Sequence, residues 1–178
     1  MRKIVGLVFI LFVLLVGCTK KVDFVDEGPF VKLELYSASS GTYLDHFPKI
    51  MTVSNDGSVH VFTEEVIGFD GIIEMEVGKD APTIEKEISA QEVNEIKRVI
   101  EENRFFSLPK DVTDYDVMDG SGSRITVYGK DREKKVGGEN SDNKHYNAIE
   151  DTIFSHVRDE YADWEKETKD YLSKLNGD

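Results

Sequence analysis

The most uneven feature of the hydrophobic pattern is a run without polar residues at the start of the chain, from Ile4 to Val16. The run follows two basic residues, Arg2 and Lys3, and nothing comparable occurs later in the sequence. A basic start followed by an apolar stretch of this length is typical of a secretory signal, and the run is too short for a comfortable transmembrane helix. The pattern therefore predicts an exported protein whose residues 1–17 form a signal peptide.

After this run, apolar and polar positions alternate with the period of short strands. The turn over 54–57 is the best hairpin signal in the chain, because its Asn and Asp tolerate positive φ and its Gly prefers it. A second hairpin is expected around the turn at 129–132. The strands are predicted at 31–36, 49–53, 58–63, 72–77, 83–88, 124–128 and 133–136.

Two segments have the period of amphipathic helices. Ser89 and Glu92 form a capping box that starts the first helix, and its apolar stripe contains Val93, Ile96, Val99 and Ile100. From Tyr146 to Leu175, apolar and aromatic residues recur mostly at steps of three or four, which predicts one long helix or two collinear ones.

The order of these elements predicts an α+β fold, in which an antiparallel sheet of hairpins packs one face against two helices, one mid-chain and one long and C-terminal. Residues 18–29 have no period and end in Gly-Pro, so they are interpreted as a tether. Residues 30–178 are expected to form a single α+β domain.

Composition narrows the functional classes. The chain has 178 residues and a formal net charge of −13, from 22 basic and 35 acidic residues. Phosphate backbones repel such a chain, so nucleic-acid binding is not expected. One cysteine, Cys18, excludes an internal disulfide and a cysteine-rich metal site.

That lone cysteine ends the sequence Leu15-Val16-Gly17-Cys18. The sequence resembles the lipobox of bacterial lipoproteins, in which a small residue precedes a cysteine that receives a diacylglycerol thioether before cleavage. The resemblance implies a mature protein that begins at Cys18 and is lipid-anchored on the extracytoplasmic face of the cell membrane. The alternative is an uncleaved anchor helix, or a signal peptide with an incidental cysteine.

The densest polar cluster lies in residues 111–123 and offers Asp114, Asp116 and Asp119 as oxygen ligands for a divalent cation such as calcium. The spacing departs from the EF-hand pattern by one extra residue before Gly120, and no closing glutamate follows. The competing interpretation is a solvated acidic loop that leads into a strand.

No catalytic constellation is visible, so an enzyme is not expected. A G-x-S-x-G nucleophile elbow and a cofactor motif are both missing, and the histidines are scattered. Carboxylate pairs that depend on tertiary placement remain open. Tyr161 and Trp164 form an aromatic stripe that would either bind an envelope protein partner or pack on the sheet.

Six short motifs are spread over the mature chain: Pro82-x-Ile84, Ile88-Ser89-x-x-Glu92-Val93, Phe105-Phe106-x-Leu108-Pro109, Met118-Asp119-Gly120-Ser121, Lys135-Val136-Gly137-Gly138-Glu139-Asn140 and Tyr146-Asn147-Ala148-Ile149-Glu150. With them, most of the mature chain resembles uncharacterised lipoproteins of Gram-positive bacteria. This resemblance implies a location and no catalytic residues. The expected role is a non-enzymatic binding or interaction module at the cell envelope, with a small-ligand or divalent-cation binder as the alternative.

Replacing Cys18 with alanine is expected to abolish lipid attachment, because alanine has no thiol to accept the diacylglycerol group. Unprocessed precursor then accumulates, or protein is released to the medium. Labelling with radioactive palmitate and membrane fractionation measure the change. Unchanged membrane retention of Cys18→Ala would show that the lipobox interpretation is wrong.

Overall fold

The computed structural model describes residues 21–37, 47–64, 66–67, 74–75, 77–117 and 120–177. The predicted signal peptide and Cys18 lie outside the described residues, as does Asp119. Positions 72, 73 and 76 of the strand expected within 72–77 also lie outside them.

The described residues form an α+β fold, as predicted. Six antiparallel strands make the main sheet in the order β6-β3-β2-β1-β7-β8, and β4 and β5 pair separately. A short 3₁₀-helix over Phe105–Ser107 follows the first α-helix. The strands are β1 (Pro29–Ser37), β2 (Lys49–Ser54), β3 (Ser58–Phe62), β4 (Val66–Ile67), β5 (Glu74–Met75), β6 (Ile84–Glu87), β7 (Ser121–Tyr128) and β8 (Glu133–Glu139), and the helices are α1 (Ala90–Glu102), α2 (Lys144–Ser155) and α3 (Arg158–Asn176).

The core lies on the face of the sheet that the helices cover. On the central strand β1, Leu33 is fully buried and pairs with Met51 of β2 and Ile125 of β7, which are also buried. Alternation along the strand places Lys32 and Glu34 on the opposite face, where Glu34 lies 3.2 Å from the Lys32 ammonium and 3.6 Å from that of Lys135. One face of the sheet is therefore apolar and the other is charged.

Helix α1 starts where the sequence predicts. The Ser89 hydroxyl accepts the Glu92 N–H at 3.3 Å, and the Glu92 carboxylate accepts the Ser89 N–H at 2.7 Å, which completes the capping box. Because these bonds satisfy N–H groups that the first turn leaves unpaired, they fix the helix start. The buried residues Val93, Ile96 and Ile100 then belong to the predicted stripe.

The C-terminal helical segment is two helices, which was one of the two predicted forms, and the fold therefore has three α-helices in the described residues instead of two. Asn143 caps α2 by accepting the N–H groups of His145 and Tyr146 at 3.1 and 3.2 Å. The break falls at Val157, whose φ of −129° leaves the helical region. Val157 is fully buried, so the break adds an apolar side chain to the core.

The described part of the expected tether lies against the domain. Val22 and Phe24 are buried, and the Val22 N–H donates to Glu101 of α1 at 3.0 Å. The Val25 N–H donates to the Tyr128 carbonyl at 3.2 Å. The lack of a clear period and the Gly-Pro end predicted a tether over 18–29. In the structure, however, the apolar side chains of Val22 and Phe24, two residues apart, are buried against the domain.

The segment over 110–114 runs along the outer edge of β8. The Gly137 N–H donates to the Lys110 carbonyl at 3.1 Å, the Val112 N–H donates to the Gly137 carbonyl at 3.1 Å, and the Asp114 N–H donates to the Glu139 carbonyl at 2.9 Å. A Cβ at Gly138 would lie 2.4 Å from the Thr113 nitrogen, so this close approach requires glycine.

Gly57→Ala is expected to destabilise the domain more than Gly28→Ala. Both glycines have positive φ, +94° and +72°, which costs another residue about 1–2 kcal/mol. At Gly57 the added Cβ would also lie 2.2 Å from the Ile88 carbonyl oxygen, whereas nothing lies within 4 Å at Gly28. Urea unfolding of both variants measures the difference. Equal losses of stability would contradict the predicted clash.

Candidate functional site

A cleft of about 730 Å³ opens where β1 ends and β7 begins, between these strands and helices α2 and α3. Ser123 lies on the helix-covered face of β7, directly across from Leu35 of β1 and Gly138 of β8. Gly138 has no side chain, and the backbone of Val112 and Thr113 occupies the position that its Cβ would take. The lining residues used below are Lys49, Ser123, Glu150, Phe154, Tyr161 and Glu165.

A chain of hydrogen bonds connects β7 to α2 beside the cleft. The Ser123 hydroxyl donates to the Glu150 carboxylate at 2.8 Å and also lies 2.8 Å from the Tyr146 hydroxyl. Because the single Ser123 proton is given to Glu150, Tyr146 donates to the Ser123 oxygen. Tyr146 and Glu150 are one helical turn apart, so both reach the same serine.

Burial sets the electrostatics of this chain. It raises the pKa of Glu150, and the neighbouring Asp151 charge raises it further, while the hydrogen bond from Ser123 opposes the shift. Burial likewise raises the pKa of Tyr146, which stays a neutral donor. Among the described residues, no Lys, Arg or His forms an ion pair with Glu150. Glu150 is thus a half-buried carboxylate held by a neutral partner.

Other lining residues of the cleft contribute an ion pair and aromatic rings. Lys49 of β2 pairs with Glu165 of α3. The rings of Phe154 and Tyr161 meet edge to face with centroids 4.9 Å apart. Polar groups that converge on a partly apolar cleft are typical of small-molecule sites.

The two residues of the expected partner-binding stripe lie in different surroundings. Trp164 is 3% exposed, stacks edge to face on Phe47 at 6.2 Å, and donates its indole N–H to the Pro82 carbonyl at 2.9 Å. Its large apolar surface is therefore already covered by this chain. Tyr161 is half-buried and lines the cleft.

Two carboxylates of the acidic loop, those of Asp111 and Asp114, accept hydrogen bonds from within the loop. Asp111 accepts the Thr113 N–H at 2.9 Å and the Tyr115 hydroxyl at 2.6 Å, and these bonds lower the pKa of Asp111 to about 2. Asp114 accepts the Asp116 N–H at 3.0 Å. The described residues contain no group of three or more His, Cys, Asp or Glu side chains placed to hold a metal ion, and Asp119 lies outside them.

Ser123, Tyr146 and Glu150 did not emerge as site residues from the sequence. The i,i+4 spacing of Tyr146 and Glu150 predicts a shared helix face, which was the available signal. Their partner Ser123 lies more than twenty positions away and comes from another element. Only the packing of α2 on β7 brings the three together.

No protein-family model matches the chain, and no curated protein matches it. None of the helices in the described part of the chain combines the length and the apolar character that spanning a bilayer requires.

Replacing Glu150 with glutamine is expected to increase the stability of the domain at pH 7. The pKa of Glu150 is raised in the folded protein, so the native state binds this proton more tightly than the unfolded state does, and the ionised carboxylate destabilises the fold. The gain should disappear as the pH falls below about 4, where both states bind the proton. Urea unfolding of wild type and Glu150→Gln at pH 7 and at pH 4 measures it.

Glu27→Gln serves as a matched control, because it makes the same change of side chain at an exposed position. We expect little change in stability from it. A loss of stability in Glu150→Gln that is equal at both pH values would contradict the assigned environment of Glu150.

Proposed function

We propose that the protein is a lipid-anchored, non-enzymatic binding module on the extracytoplasmic face of the cell membrane, and that the cleft beside Glu150 is its ligand site. The apolar run and the sequence Leu15-Val16-Gly17-Cys18 support export and anchoring. One observation supports a ligand in this cleft: the Glu150 carboxylate is half-buried and accepts a hydrogen bond from a neutral hydroxyl instead of pairing with a cation in the described residues.

The charges of the cleft favour a ligand with an ammonium group. Of the three acidic residues that line the cleft, Glu165 pairs with Lys49 and Asp151 lies 3.9 Å from the Arg158 guanidinium, so Glu150 is the one without a cationic partner among the described residues. A ligand ammonium bound at Glu150 would balance its charge and replace the hydration that burial removes.

The remaining lining groups suit a polar ligand that carries hydroxyls. Six of the lining residues are serine or asparagine, and all of them except buried Ser123 offer a ligand side chains of the kind that donate and accept hydrogen bonds. The rings of Phe154 and Tyr161 offer apolar surface to the carbon skeleton of a ligand. A small amine with several hydroxyl groups matches all three kinds of contact. The six are Ser37, Ser121, Ser123, Ser141, Asn140 and Asn147.

The state of Ser123 favours binding over catalysis. Ser123 is 6% exposed, and its oxygen is engaged by both Tyr146 and Glu150. A nucleophile must reach its substrate, and this hydroxyl is covered. No histidine or cysteine is present among the described residues that line the cleft.

Binding is tested with a matched pair of probes, glucosamine and glucose, which differ by one ammonium group. Isothermal titration of the wild-type protein is expected to show tighter binding of glucosamine. Glu150→Gln should weaken glucosamine binding about tenfold or more, since a hydrogen bond to a charged group contributes about 1.5–3 kcal/mol. Glu27→Gln should leave binding nearly unchanged, because Glu27 is exposed and does not line the cleft. Equal affinity of wild type and Glu150→Gln for glucosamine would refute the proposed ligand class.

A further inference from the structure

The segment over 22–26 fixes which end of the domain lies next to the anchor. We propose that in the membrane-bound protein the β2–β3 and β7–β8 turns face the bilayer and the cleft opens away from it. This orientation rests on the proposed lipid anchor at Cys18.

The docked segment contacts both turns. The Lys130 N–H in the β7–β8 turn donates to the Asp23 carbonyl at 2.8 Å, and the Lys130 ammonium lies 2.8 Å from the Asp26 carboxylate. In the β2–β3 turn, the Asn55 amide donates to the carbonyls of Val25 and Asp26. The chain thus enters the domain at the end of the sheet where these two turns lie.

Apolar burial keeps this segment in place. The Phe24 ring packs edge to face on Phe30 with centroids 5.5 Å apart, and the Lys97 ammonium lies over both rings, at 5.5 and 4.9 Å. Val22 is also buried. Burying one such apolar side chain stabilises by about 1.5–3 kcal/mol, so release of the segment is disfavoured.

The free chain between anchor and domain is then short. Three residues, Thr19, Lys20 and Lys21, separate Cys18 from buried Val22. Even fully extended, the four steps from Cys18 to Val22 span at most about 14 Å. A domain held this closely cannot turn its far end to the bilayer.

The cleft lies at that far end. Strand β1 starts beside the docked segment at Pro29 and ends at Ser37, which lines the cleft. Nine residues of extended strand span roughly 27 Å. Lys49 at the start of β2 and Ser121 at the start of β7 line the cleft at the same end of the sheet. The cleft therefore opens towards the medium, where a soluble ligand reaches it without crossing the lipid surface.

Single-cysteine reporters test the orientation. In the lipidated full-length protein Cys18 is a thioether, so an introduced cysteine is the one free thiol. Glu27→Cys and Asp142→Cys form a matched pair, because each removes one exposed carboxylate, the first at the docked end and the second next to cleft residue Ser141. Each variant is reconstituted in phosphatidylcholine vesicles, labelled with a fluorophore, and quenched by lipids that carry a headgroup nitroxide.

We expect several-fold stronger quenching at position 27 than at position 142. A control with a Gly/Ser spacer of about ten residues after Thr19, which adds roughly 17 Å of average reach, should reduce that difference. Flotation with the vesicles is measured first. Failure to float would refute the lipid anchor, and the orientation with it. Floating protein with equal quenching at both positions, or a difference that the spacer leaves unchanged, would refute the orientation alone.

Discussion

Burial of one face of the central strand β1 is the constraint on which the rest of the domain depends. Leu33 and its cross-strand neighbours Met51 and Ile125 form a fully apolar row under the helices. Two residues further along β1, the corresponding row contains Leu35 between Lys49 and Ser123. The apolar core therefore ends within two residues along β1. The cleft opens where polar side chains replace the apolar ones in the cross-strand row.

The same boundary explains the chemistry of the cleft. Ser123 occupies a core-facing position of β7, so its hydroxyl needs partners from the helix above it, and Tyr146 and Glu150 of α2 provide them. The Glu150 carboxylate therefore lies partly buried at the edge of the core, and this burial raises its pKa. A charge that the fold destabilises in this way gains more from an oppositely charged ligand than a solvated carboxylate would.

Features encoded over a few neighbouring residues could be predicted from the sequence. The capping box at Ser89, the turn at Gly57 and the strand periods depend on spacings within one element. The capping box and the turn occur, as do the predicted strands that lie wholly within the described residues. The cleft depends on β7 meeting α2, which no local pattern specifies. The position of the break, at Val157, and the burial of Val22 were also not predicted, because both depend on where the core has room for an apolar side chain.

The segment over 110–114 has a consequence for how copies of the protein behave beside one another. By hydrogen bonding along β8, this segment occupies groups that would otherwise be open to a strand from a second molecule. At the other side of the sheet, β6 is four residues long and three of them are charged. Neither edge of the main sheet therefore offers the long, uncharged template that intermolecular strand pairing requires, and crowding many copies on one surface does not by itself lead to aggregation through the sheet.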